Sequence, residues 1–155
     1  MSNHGQLVSL VLMIGLSTLM VSACVLVHYE TLRMASLLMP RLTIQPRKRI
    51  LFVMGAAFIA HSTEVWLCAV LFYVIGHFSG LGGIEGRFEG TFYEYLYFST
   101  VSYTSLGLGD IYPTGDLRIL TGVEALIGLA MIAWTGSFTY LAMEKFWSLH
   151  RTSTD

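Results

Sequence analysis

Long apolar runs separated by short polar stretches organise the chain. The first run extends from Leu7 to Val27, and the third extends from Leu117 to Met143. The second run, from Ile50 to Gly76, is interrupted only by His61 and Glu64. A helix needs roughly 20 predominantly apolar residues to cross the hydrocarbon of a bilayer. The pattern therefore predicts three transmembrane helices.

A fourth apolar stretch is rich in aromatic residues and runs from Thr91 to Thr104. A helix of about 14 residues is about 21 Å long, which is too short to cross the bilayer and return. We expect it to enter the membrane part of the way, so the next segment, Ser105 to Asp110, must return as extended backbone. Such backbone is tolerated at that depth only where it lines a water-filled path or is packed in protein. Glycines at 107 and 109 allow successive carbonyls to point toward one axis, where they can replace the hydration shell of a cation.

Composition also places the chain in a membrane. Of its 155 residues, 54% are hydrophobic and only 12% are charged, whereas about a quarter are charged in a typical soluble protein. The formal net charge of -1 provides no basic excess, so we expect membrane lipid as a partner and no nucleic acid. Cys24 and Cys68 each lie within an apolar run, which argues against a secreted disulfide scaffold.

The basic residues predict the orientation. Five of the nine lysines and arginines lie between Tyr29 and Arg49, in the loop that joins the first two spans. Cytoplasmic loops carry such an excess, so we expect the N-terminus outside and the C-terminus in the cytoplasm. Within this loop, the stretch from Leu32 to Met39 is predicted either as a short helix along the headgroups or as a plain connector. On the outer side, Ser79 to Gly83 is predicted to be a flexible loop.

The residues from Thr104 to Asp110 read Thr-Ser-Leu-Gly-Leu-Gly-Asp and are followed by Tyr112 and Pro113. This stretch resembles the filter signature of the potassium-channel pore domain, which is usually Thr-Val-Gly-Tyr-Gly-Asp. The resemblance implies an all-α membrane fold with a re-entrant pore helix. It implies a pore domain over residues 50–147 with four parts: outer helix 50–77, pore helix 91–104, filter 105–110 and inner helix 117–147. Residues 1–49 then form an extra transmembrane helix and a basic cytoplasmic loop, and residues 148–155 form a short cytoplasmic tail.

By this resemblance, five consecutive filter residues hold the ion: Ser105, Leu106, Gly107, Leu108 and Gly109. One such strand cannot enclose an ion, and the family arranges four around an axis, so we expect a homotetramer that conducts K⁺ or other monovalent cations without a cofactor. The resemblance implies no enzymatic activity. Ser105 keeps the hydroxyl of the usual threonine, but Leu108 lacks the hydroxyl of the usual tyrosine. Leu108 therefore leaves a non-selective monovalent cation channel as the alternative to potassium conduction.

Ionisable residues inside the apolar runs are further candidates, because such residues are costly in a membrane and usually functional. His61 and Glu64 share a helix face, and Glu124 lies about two turns into the third span. We predict that these groups brace the filter through hydroxyls of the pore helix: Ser99, Thr100, Ser102 or Tyr103. By resemblance, Thr104 and Asp110 also support the filter.

Two other interpretations of these ionisable residues stay open. In the first, they are interhelical polar contacts that merely satisfy one another. Alternatively, the chain is a membrane metal-binding or transport protein built on His61, Glu64 and Glu124.

Gly128 lies at about the distance from the filter where the family keeps a hinge glycine, so it is a candidate gate or hinge. Close packing between helices is the other interpretation of a glycine in a membrane span. By the same resemblance, we expect a small pore subunit of a bacterial inner (plasma) membrane.

Overall fold

The fold consists of four helices, three of them long. The computed structural model describes residues 3–41, 45–78 and 80–151. In chain order the helices are α1 (Asn3–Leu38), α2 (Pro46–Phe78), α3 (Phe92–Tyr103) and α4 (Leu117–Arg151). Helices α1, α2 and α4 are each long and apolar enough to cross a membrane. The predicted fold class, an all-α membrane protein with three spans, is confirmed.

Helix α1 is longer than its apolar run. The prediction that the chain becomes a cytoplasmic loop at Tyr29 was wrong, because α1 continues to Leu38 and ends in a 3₁₀ turn, Met39–Arg41. Charged residues do not break a helix when they pair along it, and Arg33 lies 2.9 Å from the Glu30 carboxylate one turn earlier. Pro40 is the first residue that cannot continue the hydrogen-bond ladder. The separate headgroup helix and the plain connector are both excluded.

The other helix ends also extend past the predicted ones. Helix α2 begins at Pro46 rather than at residue 50, which suits a proline, because the first helical N–H needs no partner within the helix. Helix α4 continues to Arg151, so the predicted tail of residues 148–155 begins as helix. Residues 152–155 and residues 42–44 of the predicted basic loop lie outside the described residues.

Helix α3 is short and its first turn is capped. The Glu94 carboxylate accepts the backbone N–H of Thr91 at 3.0 Å and that of Glu89 at 2.9 Å. A carboxylate in the first turn satisfies N–H groups that have no partner in the helix and interacts favourably with the helix dipole. The N-cap is Thr91 and the C-cap is Thr104, so the helix occupies the stretch predicted for it.

A small antiparallel sheet was not predicted. Strand β1 (Ile84–Gly86) pairs with strand β2 (Ile111–Pro113), with Glu85 opposite Tyr112. The glycine-rich loop before β1 is more ordered than expected, because its backbone pairs with the chain after β2. The Thr114 N–H donates to the Gly83 carbonyl at 2.8 Å, and the Asp116 N–H donates to the Leu81 carbonyl at 2.8 Å. Ser79 lies outside the described residues.

The core lies where α2, α3 and α4 meet, and α1 packs against it. Its largest fully buried side chains include Phe72 of α2, Leu117 and Leu120 of α4, and Met13 and Cys24 of α1. The outer surface is apolar instead of polar. Its exposed residues include Phe58 at 75%, Leu126 at 69% and Leu26 at 62%. Such a surface suits lipid or other protein chains and not water.

Candidate functional site

The segment that follows α3, Ser105–Asp110, returns toward the N-terminal end of that helix and is called here the return segment. Its alternate residues have left-handed backbone angles, with φ of 57° at Ser105, 53° at Gly107 and 79° at Gly109. Only glycine adopts such angles without steric cost, and Ser105 is the only non-glycine residue with a positive φ in the described part of the chain. Nothing described lies within 4 Å of where a Cβ of Gly107 or Gly109 would stand. Within one chain, backbone angle and not crowding therefore explains these two glycines.

Residues 105–107 of the return segment use their amides, whereas the carbonyls of residues 105–109 accept no hydrogen bond from the described residues. The N–H of Ser105 donates to Ser102 at 3.0 Å, and the N–H of Leu106 and Gly107 both donate to Val101, at 2.9 and 3.3 Å. These bonds turn the backbone sharply at the end of α3. Within residues 3–41, 45–78 and 80–151, no hydrogen bond is made to the carbonyl oxygens of residues 105–109. Five successive carbonyls are therefore free to bind something outside the chain.

Asp110 fixes the C-terminal end of the return segment. Its carboxylate accepts the Tyr97 hydroxyl, with oxygen distances of 2.9 and 3.1 Å, and its carbonyl accepts the Arg87 N–H at 3.1 Å. The hydrogen bond to the carboxylate raises the pKa of the Tyr97 phenol. Tyr97 was not singled out in the sequence, where it is one of several aromatic residues of α3. Its position facing the end of the return segment depends on how sharply the chain turns back.

Tyr103, the last residue of α3, anchors the chain at the N-terminal end of the return segment. Its hydroxyl donates to Glu64 Oε2 and lies 2.8 Å from His61 Nδ1. Tyr103 is buried and Glu64 is fully buried. The contact between Glu64 and a hydroxyl of α3 is the one expected from the sequence, and it lies one residue before Thr104.

These contacts belong to a closed ring of five side chains drawn from all four helices. Glu64 Oε1 lies 2.9 Å from His28 Nδ1, and Thr135 Oγ1 lies 3.2 Å from His28 Nε2 and 3.0 Å from His61 Nε2. With the two Tyr103 contacts, each member touches two others. We call this the five-residue ring: His28, Glu64, Tyr103, His61 and Thr135. It joins α1, α2 and α4 to the end of α3.

Glu124 makes a separate contact with α3. Its Oε1 accepts the Ser99 hydroxyl at 2.6 Å, and the same hydroxyl lies 2.9 Å from the Val65 carbonyl. Glu124 and Ser99 are both fully buried. Two of the four predicted hydroxyls, Ser99 and Tyr103, thus meet the predicted carboxylates.

The remaining predicted residues are placed differently. The hydroxyls of Thr100 and Thr104 bond carbonyls of their own helix, at 2.7 and 2.8 Å. Gly128 packs against the end of α3, and a Cβ there would overlap the Tyr103 carbonyl oxygen. Close packing accounts for this glycine, and α4 is continuous through it. Bending at Gly128 stays a prediction.

The metal set predicted from sequence needs a correction. The possible ligand atoms of His28, His61 and Glu64 lie within 4.8 Å of one another, whereas Glu124 does not belong to this group. Glu124 Oε1 accepts the Ser99 hydroxyl instead. His28 was missed because the first span was ended at Val27, where the apolar run stops. Helix α1 continues past that residue, and His28 is fully buried.

Two helices long enough to span a membrane, with a short helix and a segment of unbonded carbonyls between them, have the element order of a pore-loop membrane protein. A scan against protein-family models matches residues 50–145 to a family described as ion channel. That match covers more than half of the chain, and the chain therefore belongs to this ion-channel family. Searches of the curated proteins and of the solved structures return no match. Helix α1 lies before the matched residues.

Proposed function

We propose that the protein is a homotetrameric cation channel that conducts K⁺ through carbonyl oxygens of the return segment. The observation that carries the proposal is the row of five carbonyls at residues 105–109 without a partner in the described chain. A chain of an ion-channel family needs groups that replace the hydration shell of the permeant ion, and backbone carbonyls do so. Ser105, Leu106, Gly107, Leu108 and Gly109 provide these oxygens.

The single chain is incomplete around the return segment, which supports the tetramer. Leu106 and Leu108 are 62% and 60% exposed, although they follow a membrane-embedded helix. Burial of apolar side chains against neighbouring chains stabilises an assembly. Four copies around one axis would enclose the carbonyls, and four α3 helices would direct the negative ends of their dipoles toward the same central path.

The choice between potassium and a non-selective cation channel depends on how firmly the return segment is held. Leu108 cannot make the hydrogen bond of a tyrosine at this position, which favours the non-selective alternative. Other contacts hold the segment at both ends, through Tyr97 on Asp110 and through Glu64 on Tyr103. Fixed ends favour a fixed spacing of carbonyls, so we infer a preference for potassium.

The orientation in the membrane follows from the basic residues. Arg33, Arg41, Lys48 and Arg49 all lie near the junction of α1 and α2. We infer that this junction is cytoplasmic, by the positive-inside rule. The N-terminus and the β1–β2 sheet then face outward, and the end of α4 faces the cytoplasm of a bacterial cell.

Flux through liposomes tests the proposal. The purified chain should take up Rb⁺ much faster than Na⁺ and should have the mass of a tetramer by native mass spectrometry. Gly107→Ala should abolish Rb⁺ uptake, because alanine at φ 53° costs about 1–2 kcal/mol and turns the carbonyls away. Gly55→Ala is the matched control: Gly55 lies in α2, and nothing described lies within 4 Å of its added Cβ.

The other outcomes separate the alternatives. Equal uptake of Rb⁺ and Na⁺, abolished by Gly107→Ala, would favour the non-selective channel. A stable monomer or dimer, or Rb⁺ uptake that survives Gly107→Ala unchanged, would contradict conduction through these carbonyls.

A further inference from the structure

The five-residue ring contains two histidines, His28 and His61, whose Nδ1 atoms both face the Glu64 carboxylate. His28 Nδ1 lies 2.9 Å from Glu64 Oε1, and His61 Nδ1 lies 3.7 Å from Glu64 Oε2. The three residues belong to two helices, with His28 on α1 and both others on α2. Two imidazole nitrogens and a carboxylate around one point are a frequent ligand set of divalent transition metals.

Thr135 explains why both Nδ1 atoms point the same way. Its hydroxyl oxygen lies 3.2 Å from His28 Nε2 and 3.0 Å from His61 Nε2. A hydroxyl oxygen has two lone pairs, so it can accept an N–H from each imidazole. When both rings carry their hydrogen on Nε2, both Nδ1 atoms present a lone pair toward Glu64. A hydrogen bond to the far nitrogen orients metal-ligating histidines in the same way.

The five-residue ring contains at least one hydrogen fewer than its hydrogen-bond contacts need. Its five contacts need five hydrogens. Two neutral imidazoles, one phenol and one threonine hydroxyl provide four, while an ionised Glu64 provides none. At least one contact therefore brings two lone pairs together unless a proton or a metal cation is bound at it. Buried polar atoms without a partner are costly, so the ring gains by taking up a cation.

We propose that His28, His61 and Glu64 form a binding site for a divalent transition-metal ion of the zinc class. Zinc lies about 2.1 Å from nitrogen and oxygen ligands in tetrahedral sites, which separates the ligand atoms by roughly 3.4 Å. His28 Nδ1 lies 2.9 Å from Glu64 Oε1 and His61 Nδ1 lies 3.7 Å from Glu64 Oε2, so each imidazole is close to this separation from a different oxygen of the carboxylate. One possible ligand atom of each residue already lies within 4.8 Å of those of the other two, so only small side-chain movements are needed.

Access and the fourth ligand position also fit such a site. The His61 side chain is 21% exposed in the single chain, whereas those of His28 and Glu64 are fully buried, so His61 is the member of the set that lies at the surface of the subunit. The Tyr103 oxygen lies 2.8 Å from His61 Nδ1, next to the open position. A bound ion would join α1 to α2 directly beside the residue that ends α3.

Zinc binding to the purified full-length chain tests the site. Competition with a zinc-chelating dye should give one Zn²⁺ per chain, and excess Mg²⁺ should not displace it, because Mg²⁺ prefers oxygen ligands. His28→Gln and His61→Gln should each weaken binding at least tenfold. His77→Gln, a histidine at the outer end of α2 whose Nδ1 lies 3.0 Å from the Tyr73 carbonyl, is the control and should bind as the wild type does.

Thr135 gives a second test that does not remove a ligand. Thr135→Ala should weaken Zn²⁺ binding by about 10–100-fold, as loss of an orienting partner does, while Thr135→Ser should restore it. This pair decides the matter if a histidine variant fails to fold. Absence of Zn²⁺ binding by the folded wild type, or equal binding by Thr135→Ala and by both folded histidine variants, would mean an adventitious ion only. No ion flux is measured, so a negative result would leave the proposed channel function untouched.

Discussion

Glycine is required at three positions around the return segment for two different reasons. At Gly107 and Gly109 the backbone angle requires it, since φ is 53° and 79° and no described atom crowds the missing Cβ. At Gly128 the space requires it, since a Cβ would overlap the Tyr103 carbonyl. A substitution of the first kind should turn carbonyls away while the chain still assembles. A substitution of the second kind should push α4 away from the end of α3.

Gly128→Ala should destabilise the protein by about 1–3 kcal/mol, because overpacking of a tight contact forces backbone shifts. The structural reason is the overlap with the Tyr103 carbonyl, which belongs to backbone and cannot rotate out of the way. The measurement is the midpoint temperature at which the purified oligomer unfolds.

Gly122→Ala is the matched control for this substitution. It lies on the same helix, nothing described lies within 4 Å of its added Cβ, and alanine favours helix over glycine. Gly122→Ala should therefore keep or raise the unfolding midpoint. A Gly128→Ala protein with unchanged midpoint but altered ion flux would favour a hinge instead of a packing role.

Side-chain hydrogen bonds hold helix α3 at both ends. At its start the bonds belong to its own capping box, and at its end the partner is a side chain of α2. Glu94 accepts N–H groups at the start of the helix, and the hydroxyl of Tyr103, its last residue, donates to Glu64. Between them, Tyr97 connects the helix to Asp110 at the far end of the return segment. A short helix has little stability of its own, so these contacts position it.

The contribution of Glu94 should depend on pH. Its backbone hydrogen bonds, first from Glu89 and then from Thr91, hold the pKa of its carboxyl below the ordinary value. A carboxyl with a lowered folded pKa stabilises the fold above its unfolded pKa of about 4.3. That stability is lost as the pH falls through the folded pKa. The unfolding midpoint of the wild type should therefore drop on acidification through this window.

Glu94→Gln should flatten that pH dependence, because glutamine accepts a hydrogen bond without titrating. Tyr93→Phe, at an exposed neighbour in the same helical turn, should keep the wild-type slope. Equal slopes in the wild type and Glu94→Gln would show that the cap of α3 does not contribute to acid sensitivity.

Elements were predictable from the sequence where one strong pattern determined them. Helix α3 and the return segment followed from a short aromatic run before alternating glycines. The end of α1 did not, because hydropathy stops at Val27 while the helix continues through the pair Glu30–Arg33. Strands β1 and β2 have three residues each, which is too short for an alternating pattern to be recognised.

On the scale of the whole molecule, α1 packs against α2 and α4 although it precedes the matched family residues. It contributes fully buried Cys24 and His28 to contacts with α2 and α4. The contacts of Glu64 and Glu124 with α3 were predictable, because an ionisable group within a span needs a polar partner at its own depth. His28 was not, because its partner depends on how α1 is rotated against α2, and one sequence does not specify this rotation.

Because the five-residue ring connects α1 to the end of α3, we expect a substitution in α1 to alter the return segment. His28→Ala should destabilise the metal-free protein by about 1–3 kcal/mol, since Glu64 Oε1 is left buried without its partner. Glu64 also accepts the Tyr103 hydroxyl, so the N-terminal end of the return segment should loosen. The ratio of Rb⁺ to Na⁺ uptake should then fall. The unfolding midpoint and the two fluxes are the measurements.

Thr18→Ala, also on α1, removes a hydroxyl that bonds only the Ile14 carbonyl of its own helix, at 2.8 Å, and should change neither the midpoint nor the flux ratio. If His28→Ala lowers the midpoint and leaves the flux ratio intact, α1 stabilises the subunit without acting on the return segment. A fall in both would mean that the ring transmits strain from α1 to the end of α3, because the described hydrogen bonds connect His28 to Tyr103 through Glu64 and through Thr135 and His61.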